Sequence, residues 1–143
     1  MTDAITDAGI LLDGTPLARA LGFLPEEIGE GRVVIAMPYD ARFVGDPATG
    51  VIHGGAISVL MDTAGGGSVL TAAPGIVSTA TLNLRIDYMR PATPGQTIRA
   101  DARCRHLTRT VAFVRITATD DDALRPVAEG TGVFTVERRE ADE

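Results

Sequence analysis

The sequence predicts a mixed α+β domain in which one long helix lies across one face of a curled antiparallel sheet. Three features predict it: a single long run with helical spacing at Gly54–Ala73, a switch to period two after Pro74-Gly75, and about four strand-like segments in succession as far as Val136. Strands clustered after one helix pair with their chain neighbours and build an antiparallel layer, whereas a parallel sheet needs alternating βαβ units.

At 143 residues the chain is one domain's worth, 1–143, with flexible ends expected at 1–14 and 137–143. A short helix is expected at Thr15-Pro16, with Thr15 as N-cap, Pro16 at the first helical position, and Leu17, Ala20, Leu21 and Leu24 on its apolar stripe. Arg32–Pro38 reads as a strand, alternating Val33, Ile35 and Met37 against Val34 and Ala36. A loop rich in Asp, Gly and Pro follows from Tyr39 to Ile52. In the long helix the stripe is Ile57, Leu60, Met61, Ala64 and Val69. The next strand sets Thr81, Asn83, Arg85 and Asp87 on one face against Leu82, Leu84, Ile86 and Tyr88 on the other. Gln96–Leu107 and Thr110–Thr119 form a hairpin about Thr108-Arg109, Asp120–Pro126 is a turn, and Val127–Val136 is the last strand.

The composition is 45% hydrophobic and 22% charged, ordinary for a packed globular chain. Thirteen basic against nineteen acidic residues give a net charge of -6, the wrong sign for nucleic-acid binding by phosphate neutralisation. A polyanionic small molecule would instead need locally clustered arginines. The one cysteine, Cys104, can form no internal disulfide, has no metal-binding neighbours, and is expected in the core. Two histidines are too few for a His-rich metal site, so no metal is expected. There is no basic-then-apolar leader, and no apolar run approaches about 18 residues, so neither export nor membrane insertion is indicated. A cytoplasmic location is the expectation.

Two features of the long helix ask for a chemical explanation. Gly54 and Gly55 weaken its start by roughly 0.5–1 kcal/mol each relative to alanine, and Asp62 interrupts the apolar stretch Ala56–Ala64. Taken alone, Gly-Gly is a turn and His53 a hydrogen-bonded packing residue. A carboxylate in an apolar helix is a stronger signal, because burying it unpartnered is costly. The first N–H groups of a helix lack intrahelical partners and carry the positive end of its dipole, so bare glycines let a carbonyl oxygen reach them. Such a donor is worth roughly 3–4 kcal/mol to a developing oxyanion. Gly55 and Asp62 share a helix face but stand about 10 Å apart along the axis at about 1.5 Å per residue. Two copies packed antiparallel about a two-fold axis would bring Asp62 of one to the helix N-terminus of the other, making two equivalent composite sites.

The run GVIHGGAISVLMDTAGG resembles the hotdog-fold acyl-CoA thioesterases of the phenylacetate-catabolism (PaaI-like) and 4-hydroxybenzoyl-CoA thioesterase group. The resemblance extends to Asp46-Pro47-Ala48-Thr49-Gly50, Thr81-Leu82-Asn83-Leu84, Tyr88-Met89-Arg90-Pro91-Ala92 and Val127-Ala128-Glu129-Gly130, and covers most of 30–136. It implies a hotdog fold and hydrolysis of an acyl-CoA to free acid and CoA. Gly54 would offer the N–H that polarises the thioester carbonyl, with Gly55 beside it and His53 shaping the loop. Asp62 would be general base or nucleophile, roles on which family members differ. Thr81 matches a position where some members hold the water with Ser, and Thr79 is the alternative. Many members carry Asn or Gln six residues before the His. Here Pro47 stands there beside Asp46, a poorer donor, which leaves the carbonyl to Gly54. Arg85, Arg90, Arg105 and Arg109 are candidates for CoA phosphates. The family further implies homodimers that pair into homotetramers, with coenzyme A entering as substrate and no separate cofactor. A hotdog dehydratase or hydratase and a non-catalytic acyl-CoA binding protein are the alternatives. The acyl group is not readable from the sequence.

Overall fold

A computed structural model describes residues 15–140. Helix α1 (Pro16–Ala20) is followed by strands β1 (Leu24–Gly29) and β2 (Arg32–Met37). A 3-10 turn (Ala41–Phe43) then leads to the short pair β3 (Val44–Asp46) and β4 (Val51–Ile52). The long helix α2 (Gly54–Leu70) precedes β5 (Ile76–Ser78), β6 (Thr81–Tyr88), β7 (Ile98–Leu107), β8 (Val111–Thr119), β9 (Ala128–Thr135) and β10 (Glu137–Arg138). Six strands form one antiparallel sheet in the order β1-β2-β7-β8-β9-β6, and α2 lies across it. No described helix is long and apolar enough to cross a membrane.

The core fills the layer between helix and sheet. The expected stripe of α2 is fully buried, and it meets Val33, Ile35 and Met37 of β2, Ile98 of β7, Ile116 of β8 and Phe134 of β9. Alanines 100, 102, 112 and 118 form the floor and let the helix sit low. At Gly65 the approach is closest: a Cβ there would lie 2.8 Å from Phe134 Cζ and 3.2 Å from Ile116 Cδ1. Gly67 also lets the helix sit close to the sheet, since a Cβ there would lie 3.2 Å from Val33 Cγ2. Gly65→Val should therefore destabilise the fold. Valine gains only a few tenths of a kcal/mol over glycine in helix propensity, whereas overpacking a filled site costs about 1–3 kcal/mol. Differential scanning calorimetry should show Tm lower by roughly 3–10 °C.

Several expectations need correction. Helix α1 stops at Gly22 (φ +72°), where Gly22 N–H bonds the Arg19 carbonyl and Phe23 N–H that of Ala18, a Schellman ending. Its buried residues are Ala18 and the following Phe23, while Leu17 and Leu24 are exposed. Strand β1 was not expected: Leu24-Pro25-Glu26-Glu27 has no apolar alternation because it is a solvent-facing edge, blunted by proline, two carboxylates and a register shift. The segment read as one loop, Tyr39–Ile52, contains the β3–β4 ladder. The tail expected to be mobile begins with Glu137–Arg138 paired to β5, Arg139 N–H donating to the Gly75 carbonyl at 2.7 Å. The expected lead-in 1–14 and the last three residues lie outside the described residues. Cys104 is half-buried rather than in the core; burial raises its thiol pKa.

Candidate active site

The N-terminus of α2 is held from two sides by rings. His53 occupies the N-cap, and its Nδ1 accepts the Gly55 N–H at 2.8 Å, which requires the proton to sit on Nε2. The His53 backbone N–H donates to the Phe43 carbonyl at 2.8 Å, tying the cap to the turn before β3. From β6, Tyr88 Oη donates to the Gly54 carbonyl at 2.9 Å. A Cβ on Gly54 would meet Tyr88 Cε1 at 3.3 Å, and one on Gly55 would meet His53 Nδ1 at 2.9 Å. The close approach expected at these glycines is thus made by the protein's own rings. Both glycine amides were expected to face a ligand, but His53 engages that of Gly55. The Gly54 N–H, first of the helix, has no intrahelical acceptor by its position.

Asp62 lies two turns on, half-buried on the side of α2 toward β6. Thr81 Oγ1 donates to its Oδ1 at 2.6 Å. Simple alternation put Thr81 on the same face as Asn83, Arg85 and Asp87. The ladder with β9 shows why it is not there: Thr81 pairs with Phe134 while Asn83 pairs with Val133, so Leu82 is one extra residue. This bulge ejects Leu82 to solvent, 60% exposed, and re-aims Thr81 at the carboxylate. Thr79, the alternative, donates to the Thr135 carbonyl at 2.8 Å and serves the sheet. Gly54 and Asp62 are about 12 Å apart along the helix axis at about 1.5 Å per residue. One chain does not bring its own amide and carboxylate together.

The remaining candidates fall into place around this axis. Asp46 caps its own turn, accepting from Ala48 N–H at 3.0 Å and Thr49 Oγ1 at 2.8 Å, so its carboxylate holds the exposed β3–β4 loop that carries Pro47. Arg90 is 19% exposed and grips the fully buried Asp120 with two bonds of 2.8 and 2.7 Å, its other donors reaching the Arg125 and Pro91 carbonyls. That guanidinium is a structural clamp with nothing left for a phosphate, contrary to its place among the CoA candidates. Arg85 is exposed beside Asp87 at 3.4 Å, and Arg109 is exposed at the β7–β8 turn. Sequence reasoning assigned Tyr88 no role. Its place at the end of the apolar face of β6 was the available signal, since that face leads to the helix start.

Both the sequence and this helix-on-sheet layer have likenesses among known proteins. The family model described as the thioesterase superfamily matches residues 49–127, which span the His53–Asp62 run and β6 to β8. The chain belongs to the thioesterase superfamily. A Halobacterium salinarum protein described as an esterase is 35% identical to this thioesterase-superfamily chain over 135 residues, covering 89% of it and 88% of the relative. The medium/long-chain acyl-CoA thioesterase YigI of Salmonella typhimurium is 29% identical over 134 residues, covering 85% of each. Among solved structures, the Escherichia coli PaaI protein of the phenylacetic acid degradation operon superposes with a TM-score of 0.83 at 25% identity, covering 96% of this chain and 94% of that one. The hotdog fold and membership among thioester hydrolases follow.

Proposed function

We propose that the chain is an acyl-CoA thioesterase working as a homodimer, each of two equivalent sites combining Asp62 of one subunit with the Gly54 N–H of the other. The observation that carries the reading is the 2.6 Å bond from Thr81 to Asp62 Oδ1. A threonine hydroxyl donor holds one carboxylate oxygen and leaves Oδ2 to act on a substrate or a water. In the water route, Asp62 takes a proton as the water oxygen attacks the thioester carbon, and the oxyanion forms against the amide of the partner's Gly54. The C–S bond then breaks, and the proton passes to the departing thiolate, giving free acid and coenzyme A. In the alternative, Oδ2 attacks directly and water cleaves the resulting anhydride. The likeness to YigI supports an acyl-CoA substrate.

The dimer is supported by the edge of β6, which among the described residues pairs only with β9 and exposes Leu82, Tyr88 and the following Met89. A second β6 added about a two-fold axis would cover those groups and set the two α2 helices antiparallel. The test mixes two inactive variants, Asp62→Asn and Gly54→Val. Random pairing leaves half the dimers mixed, each with one intact site, so about a quarter of wild-type thiol release from acyl-CoAs is expected. No recovery after exchange, or a single-chain mass by sedimentation equilibrium, overturns the composite site. In a separate measurement, Thr81→Val should lower kcat about 10-fold by removing a hydrogen bond to a charged group. Unchanged turnover would free Thr81 of this role. Turnover of enoyl-CoA to the hydrated product, without thiol release, would point to hydratase chemistry.

A further inference from the structure

We propose that the sheet face turned away from α2 carries a second binding site, for a phosphate-bearing small molecule with a flat body, in the cleft between Arg105, Arg115 and Phe113. The argument starts from the strand register. Arg32 pairs with Arg103, Arg103 with Arg115, Arg115 with Thr131 and Thr131 with Arg85, which sets four arginines in one row across five strands. Like charges directly opposite on a sheet are destabilising. Some are compensated within the chain: Arg32 by Glu27 and Asp101, Arg103 by Asp101, Arg85 by Asp87. Among the described residues Arg105 and Arg115 form no ion pair. In a chain of net charge -6, these two cations thus sit together on one face with no ion-pair partner among the described residues.

These two guanidiniums line a cleft of about 420 Å³ with Asn83, Phe113, Thr131 and Val133. That volume is in the range of small-molecule sites. Arg105 sits at a register shift between Cys104 and His106, the kind of irregularity that re-aims a side chain. Phe113 is 43% exposed, so its ring offers an open face to a flat group, with the His106 ring 5.8 Å away and tilted by 41°. Guanidinium forks match phosphate oxygens in pairs, with the Asn83 amide and Thr131 hydroxyl as further donors. The cleft lies on the opposite side of the sheet from Asp62 and Gly54, so the proposal stands apart from the catalytic reading.

The test is calorimetric titration of the intact protein at low salt with ADP, inorganic pyrophosphate and coenzyme A as probes. ADP should bind once per chain, and Arg105→Gln or Arg115→Gln should weaken it at least ~10-fold. Phe113→Ala should weaken ADP while leaving pyrophosphate unchanged. Competition by coenzyme A would identify the ligand as the nucleotide end of a CoA, and its absence a separate nucleotide; either supports the site. Because Arg115 opposes Arg103, Arg115→Gln should leave the unliganded Tm unchanged or raise it by about 1–3 °C, which separates lost binding from lost folding. No heat at millimolar ADP overturns the proposal, as does equal binding by wild type and both arginine variants. It is also overturned if those variants change the number of chains per particle, since a second copy then covers the face.

Discussion

Asp62→Asn should lower kcat for thiol release from acyl-CoAs by at least ~100-fold while leaving the fold, the proposed dimer and the Tm essentially unchanged. Asparagine keeps the volume and can still accept the Thr81 hydroxyl, which reaches Oδ1 at 2.6 Å in the native protein. What it lacks is an oxygen able to take a proton or attack a carbonyl carbon, so loss of rate without loss of stability isolates the chemistry. Substrate affinity should change little, because the carboxylate acts after binding; a rise in KM with kcat retained would make Asp62 a binding group instead. Steady-state kinetics beside calorimetry on the same preparation read both quantities. Turnover within a few-fold of wild type would leave the proposed site without its base.

Asp120→Ala should cause the largest loss of stability of any single substitution considered. The Asp120 side chain has no solvent exposure and accepts two bonds from Arg90, one from the Thr93 N–H and one from the Asp122 N–H. The Arg90 guanidinium foremost, helped by those amides and opposed by burial, holds its carboxyl well below the usual carboxylate range. Truncation leaves a largely buried guanidinium without its counter-charge, which costs about 3–5 kcal/mol, or roughly 10–20 °C in Tm for a chain of this size. The pH dependence follows from the direction of the shift. A carboxyl with a depressed folded pKa contributes stability that is complete above its unfolded value near about 4 and is lost as pH falls toward the folded value. The gap between wild type and variant should therefore be full at pH 7 and shrink below about pH 4. A gap constant from pH 7 to pH 3 would mean that packing, not charge, is what Asp120 supplies.

How far the sequence reveals this molecule depends on whether a feature is periodic. The α2 stripe and strands β7, β8 and β9 show their buried faces in their spacing, and the structure places them within a few residues of expectation. The edge strand β1 packs little, so it leaves no apolar rhythm to detect. The bulge at Leu82 is invisible for a different reason: inserting one residue changes which side chain meets Asp62 without changing any residue type. Asp62 and Gly54 stood out as candidates because each breaks a local rule, a charge among apolar residues or a glycine at a helix start, whereas His53 entered through the resemblance. Arg90 looked available because its partner is thirty positions away, and nothing local announces the pairing with Asp120.

The two edges of the six-stranded sheet are unlike. One ends in Pro25 and adjacent glutamates; the other is the outer side of the eight-residue strand β6, which among the described residues pairs only with β9. A growing fibre of stacked sheets needs a receptive border at both ends of every unit, and here one border refuses addition. Joining through β6 uses up the sticky side of both molecules at once. Association of the proposed kind would be self-limiting along that direction, stopping at a pair instead of running on into a filament.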